Sequence, residues 1–544
     1  MKSLTFAALL ACAGAAHADP ILTSWFTQNS SVLARVIQTT NTSTGTRNTT
    51  PVTIWPTAGI TNNNSGGLSQ TATVYADVQR IRYTTTDVYL NSSGLASYTM
   101  GPWLTANGGL FGFWPVSQNY TVKLPRTPAT PVPTNKTAHG GGPIGLMVNG
   151  VAIYDLGDAF GFVQTASAPV TGSDSMGQTN TTHPWWRNAL QVEVVTFDPG
   201  FAHQPGINGQ YHYHAEPKAL RYQLGDNMQA TYSGSPNNTY AYTEDTSNPH
   251  HSPILGWSFD GYPIYGPYGY ASPLNPNSGV SRMRSGFVLR NAANQTTYGV
   301  TDIASTGRTT LPKWAAIAEG LSTLATYVGT GAGYTNGDYI LTATLQGPAT
   351  NYVNGANTYS IGRYIGDYDY LGDRGQTQGP AGPFDLDQYN GRTCVTPEFP
   401  GGTYAYFVTN DAAGNPAFPY MLGKQYYGTK TGTNQNVTVP ASGVTEYFNG
   451  GGTNLAESWS GSPAVSAGTG DVTLTWSTVE GGTYKIEASN NLSTWATLNA
   501  AFPAAANTTL PAPVNVITKT SAVETGAALP ANNTKRFYRV TRNP

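Results

Sequence analysis

Apolar and polar residues alternate along this chain in short runs. Asn119 to Leu124, Val472-Thr473-Leu474-Thr475-Trp476 and Thr483 to Ala488 repeat with a period of two, the signature of strands with one face buried. Clusters of Gly, Pro, Asn and Ser bound these runs, so many short strands are expected. Gly140 to Phe162 holds two apolar runs joined by Asn149-Gly150, which predicts a hairpin. Asp260-Gly261 marks a second tight turn, between Ile254–Phe259 and Tyr262–Tyr265. One stretch has helical spacing: Leu311 to Leu324, Ala-rich, with Pro312 near its start. The expected fold is mainly β: a large irregular sandwich-like body, one short helix near 311–324, and a small C-terminal β-sandwich with Trp476 and Trp495 as its core.

Composition sets the organisation. At 544 residues the chain exceeds what one core serves, and its text divides into 1–18, 19–79 (packed on the body or part of it), 80–430 (the main body), a Gly/Thr/Asn-rich linker at 431–460, and 461–544. Charged residues make up 10% and the net charge is -2, so no basic field exists to capture nucleic acid. Met1 to Ala18 carries Lys2, an apolar run and Ala16-His17-Ala18, the pattern of a secretory signal. Leu9-Leu10-Ala11-Cys12 offers a lipid-attachment alternative. Secretion to the periplasm or cell surface is therefore expected. Cleavage after Ala18 leaves Cys394 as the sole thiol, so stability must come from packing or bound metal rather than a disulfide. No run of about 18 apolar residues exists to span a membrane.

Chemistry concentrates in Gln210-Tyr211-His212-Tyr213-His214. On a strand, residues two apart share a face, so His212 and His214 point one way and Tyr211 and Tyr213 the other. His203 lies nine residues before His212, across Pro205-Gly206 and Asn208-Gly209, and is expected to return antiparallel as a third ligand. Three imidazoles around one ion leave a position open, as in catalytic or redox sites. Zinc or copper suits such ligands. Asp198 and Asp260, both at turn sequences, are the candidate supporting carboxylates or general bases; each also suits a backbone cap. Tyr211, Tyr213, Asp387 and Asn390 are candidates for the surrounding shell. Asp385 to Gly391 superficially matches a calcium loop, but its third oxygen is one residue late and no acid follows at the twelfth position, leaving only an irregular calcium site open. His250 and His251 are adjacent and point oppositely on a strand, and Cys394 carries no signature of a nucleophile.

Tyr211-His212-Tyr213-His214, with His203 before it and Leu255 to Gly266 after it, resembles the YHYH-domain family of exported bacterial proteins. Similar text occurs at Gly94 to Trp103, Ile144 to Asp158, and Asp387 to Asn390-Gly391 through Tyr420, so the resemblance covers about residues 80 to 430. It implies an exported protein and names no reaction. One departure stands out: where a Cys-Gly pair is expected before the first His, this chain has Phe201-Ala202-His203, which weakens a thiolate-ligand version of the site. The C-terminal unit resembles fibronectin-like or immunoglobulin-like modules.

The leading expectation is an exported metal-binding β-protein with a His-centred site. Water attack on an ester or polymer, or copper redox chemistry with nearby Tyr, are the reaction classes open to it. The rival is a cell-surface structural or glycan-binding protein, with a Tyr-rich face toward glycan or cell envelope and histidines that are merely packed.

Overall fold

The computed structural model describes residues 19–27, 75–105, 115–232, 240–322, 338–431 and 434–449, together with Phe113, short strands within 34–70 and 326–328, and parts of 464–542. The expected signal segment, 1–18, lies outside the described residues.

The body is built on a seven-stranded mixed sheet. Its strands are β1 (Pro143–Met147), β2 (Ala152–Tyr154), β3 (His212–Tyr213), β4 (Ile254–Ser258), β5 (Pro263–Tyr265), β6 (Gly391–Cys394) and β7 (Thr403–Phe407), in the spatial order β3-β2-β1-β4-β5-β7-β6. β4 is buried along its whole length and β1 at four of its five residues, because both faces are covered; this is why they read as continuous apolar runs rather than alternation. The β1–β2 hairpin turns at Asn149-Gly150, with Gly150 at φ 77°. A Cβ there would collide with the Ser92 side chain. The Asp260-Gly261 turn joins β4 to β5, Gly261 donating to the Ser258 carbonyl at 2.9 Å.

A second, four-stranded sheet runs Thr445–Asn449, Val78–Tyr83, Asp87–Ser92, Tyr120–Pro125. Its inward residues Val78, Ile81, Val88, Leu90, Val122 and Leu124 join Leu146, Ile153, Tyr211, Tyr213 and Trp257 of the main sheet in one core. Thr445–Asn449 falls in the stretch read as linker, yet it is hydrogen-bonded to Val78–Tyr83. The main body therefore extends to at least Asn449. Past it, among the described residues, two three-stranded antiparallel sheets contribute Val472, Leu474, Trp476, Tyr484, Ile486 and Val540 to one apolar cluster. Trp495 is not in that core; it is half-buried and sits under the Arg539 guanidinium, 4.4 Å from its ring centre.

The fold is mainly β, as the alternation indicates. The helix expected over 311–324 is shorter among its described residues: Thr310–Pro312 is a strand paired with Asp338–Ile340, and of 311–322 only Lys313–Ala318 is helical, with 323–324 outside the described residues. Other brief helices occur among the described residues, including Ala189–Glu193 and Lys218–Gln223. Each is too short to show helical periodicity.

Candidate metal centre

The loop from Pro205 to Gly209 reverses the chain, with Gly209 at φ 63° donating to the Pro205 carbonyl at 3.0 Å. His203 and His212 then face each other and exchange both backbone bonds, 3.2 and 2.9 Å. Cross-strand partners project to the same face, which brings the His203 ring to the side already occupied by His212 and His214. β3 runs parallel to β2, with His212 opposite Ala152. The three rings have centroid separations of 4.7, 5.7 and 4.8 Å, and their ligand atoms all lie within 4.8 Å of one another. All three residues are buried.

The outer nitrogen of each ring is held by an oxygen. His212 Nδ1 lies 2.8 Å from the Gln210 carbonyl, and His214 Nδ1 lies 2.7 Å from that of Asp155. A carbonyl only accepts, so both Nδ1 atoms carry the hydrogen. For His203 the partner is Thr196 Oγ1 at 2.7 Å, and the Thr196 hydroxyl spends its one hydrogen on the Glu193 carbonyl at 2.7 Å. His203 Nδ1 is thereby also the donor. In neutral rings all three Nε2 atoms then present lone pairs inward, and those of His212 and His214 approach to 3.0 Å. The Tyr154 ring stacks on His212 at 3.8 Å and fixes its plane.

A fourth group enters from the end of the helix Ala189–Glu193. Glu193 Oε2 is 3.0 Å from His214 Nε2 and 3.4 Å from His203 Nε2. Burial lowers the pKa of His203, and lowers that of His212 further because the two other imidazoles add repulsion. For His214 burial acts the same way, but the Glu193 carboxylate outweighs it and the pKa rises. Burial would raise Glu193, yet His214 and His203 hold it well below the usual carboxylate range. The cluster thus draws one positive charge to its centre. A cavity of about 470 Å³ opens on it, lined by Phe113, Tyr154, Trp186, the Gly140–Gly142 backbone and Glu193, a size that admits a small molecule.

Tyr211 and Tyr213 point to the other face, as expected. The Tyr98 hydroxyl bridges theirs at 2.8 and 2.6 Å, and Tyr211 donates to Asp198 Oδ2 at 2.7 Å. Asp198 also accepts from the Gly101 and Ala202 amides, and burial raises its pKa to about 6. Asp198 therefore serves the tyrosine face, and its carboxylate is not among the contacts of the imidazoles. Asp260 is spent within its own turn and the neighbouring strand, on Ser258, Tyr406 and the Gly428 amide; no imidazole is among its hydrogen-bond partners. Asp387 accepts from Tyr404 and from the Tyr389 and Gly391 amides, Asn390 at φ 66° donates to the Phe407 and Met421 carbonyls, and Asp385 holds Arg284. The carboxylates of the loop that matched calcium text are thus engaged by protein groups. His250 and His251 bind the Gly225 and Ser252 carbonyls. Glu193 was not singled out from sequence, although it is the only acid between Asp174 and Asp198.

The model of the YHYH protein family matches residues 121–355 and 352–419, more than half of the chain and the whole of the His cluster. The chain belongs to the YHYH protein family. No curated protein and no solved structure matches it. In this YHYH protein the eponymous tetrad divides by face: its tyrosines close a core network and its histidines build the cluster. Among the described residues no helix is long and apolar enough to cross a membrane.

Proposed function

We propose that this YHYH protein is an exported protein that binds one transition-metal ion, zinc or copper, through Nε2 of His203, His212 and His214. The observation that carries the reading is the convergence of three Nε2 lone pairs whose tautomers are fixed by Gln210, Asp155 and Thr196. Packed histidines of a purely structural protein would satisfy both ring nitrogens separately. Here the inner nitrogens face one another, and only a cation between them turns repulsion into bonding. A proton on His214 serves one contact at a time; a metal ion serves all three. The adjoining cavity supports access of a small molecule to the ion rather than of a folded polymer.

The test is metal analysis of the purified protein, repeated on a His212→Ala/His214→Ala double variant. The reading expects about one zinc or copper per chain, lost in the variant. A wild-type protein that neither retains nor takes up either metal would leave the histidines as a proton-holding cluster.

A further inference from the structure

An ion held by three imidazoles has a further coordination position, and the three histidines line the cavity together with Glu193. We infer that Glu193 fills this position as the fourth ligand of the ion and is the group an incoming small molecule displaces. The inference rests on the metal reading above and adds the residue that controls access to it.

The geometry is specific. Four donors at about 2.05 Å from a tetrahedral ion lie about 3.3 Å apart. His212 Nε2 to His214 Nε2 is 3.0 Å, Glu193 Oε2 to His214 Nε2 is 3.0 Å, and Glu193 Oε2 to His203 Nε2 is 3.4 Å. Three of the six edges thus come within about 0.4 Å of the tetrahedral length, and the remaining histidine separations stay within 4.8 Å. Glu193 Oε2 is buried and, with the rings neutral, meets no donor hydrogen, although a buried carboxylate oxygen ordinarily does. It is aimed at ring nitrogens whose hydrogens are on their far sides.

Glu193 differs from the histidines in its mounting. Its side chain is 25% exposed, against 8% for His203 and 4% for His214. It stands at the end of a five-residue helix and is followed by the exposed Val194 and Val195. By contrast, His212 is anchored by strand pairing, and the rings of both His212 and His214 are held by main-chain carbonyls. Rotation of the Glu193 side chain toward the cavity opens the ion while three imidazoles keep it. The Thr196 hydroxyl, bonded to both the Glu193 carbonyl and His203 Nδ1, ties the mount of this ligand to its neighbour.

The experiment uses the full chain loaded with Co²⁺, whose visible absorption reports coordination number, titrated with azide. Wild type is expected to show an intense four-coordinate spectrum and to bind azide weakly. Glu193→Ala should retain Co²⁺ with at least tenfold weaker affinity, show a shifted spectrum, and bind azide at least tenfold more tightly. Glu193→Gln, nearly the same shape, should behave likewise and guards against misfolding of the alanine variant. Identical spectra, affinities and azide titrations in wild type and both variants would overturn the role of Glu193 while leaving the triad intact. A wild-type protein that takes up no Co²⁺ would overturn the metal reading itself.

Discussion

Thr196→Val tests the orientation of the ligand set without replacing a ligand. Valine keeps the shape of threonine but removes the hydroxyl that accepts from His203 Nδ1 at 2.7 Å and donates to the Glu193 carbonyl. Two effects follow, and they separate. In the metal-free protein the lost partners cost about 1–3 kcal/mol. In the metal-bound protein the His203 ring loses the contact that fixes its tautomer, and losses of this kind reduce metal affinity by roughly 10- to 100-fold. Binding to the native state alone stabilises by RT ln(1 + [L]/Kd), so free Zn²⁺ at about 1,000 times the wild-type Kd contributes about 4.1 kcal/mol. The variant, at about 10 to 100 times its own Kd, gains only about 1.4–2.7 kcal/mol. Urea unfolding with and without buffered Zn²⁺ measures both increments on each protein. An unchanged Zn²⁺ increment in Thr196→Val would refute the claim that Thr196 holds His203 and the Glu193 backbone in place for the ion.

Three further outcomes are expected. Tyr211→Phe removes a hydroxyl from the Tyr98–Asp198 network and should lower unfolding free energy by about 1–3 kcal/mol with metal content unchanged, because it lies on the other face; loss of metal would contradict the division of faces. Gly150→Ala must hold an L side chain at φ 77° against Ser92 and should destabilise by at least about 2 kcal/mol, read from the urea midpoint. In the metal-free protein, acid should remove the stability that buried neutral histidines contribute. Burial lowers His251 to about 4 and also lowers His139, so below pH about 6.5 the unfolded chain takes protons that the folded one refuses. At pH 5 His251 alone accounts for a loss of about 2 kcal/mol relative to pH 7. His214 is raised and acts in the opposite sense, its contribution being present at low pH and lost as pH rises. Buried carboxyls raised to about 6, among them Asp158, Asp198 and Asp387, also gain stability on acidification over the same window, so the test is by difference: a His251→Asn variant whose change in unfolding free energy from pH 7 to 5 equals that of the wild type would contradict the His251 contribution.

Period-two alternation made the class of the fold legible, and the Asn149-Gly150 and Asp260-Gly261 turns located two of its hairpin corners. The triad was legible for a related reason: i and i+2 share a strand face, and Pro205 to Gly209 announced the reversal that returns His203. What stayed hidden depends on partners distant in sequence. The Thr445–Asn449 strand reads as spacer because its pairing with Val78–Tyr83 leaves no local pattern. Asp198 and Asp260 look like site carboxylates beside the histidine text, yet whether an acid meets a tyrosine or an imidazole is set by the face it lands on. Glu193 reaches the cluster because a five-residue helix turns it inward, and two of the three groups that orient the rings are main-chain carbonyls, which carry no sequence signature.

X-ray absorption at the metal edge of the protein purified with its native ion tests the central claim most directly. The account predicts three imidazole nitrogens at about 2.0 Å, with the outer-ring scattering of histidine and one further light-atom ligand, and loss of that scattering in the His212→Ala/His214→Ala variant. A spectrum with oxygen ligands alone, or one the double substitution leaves unaltered, would place the ion elsewhere and contradict the account.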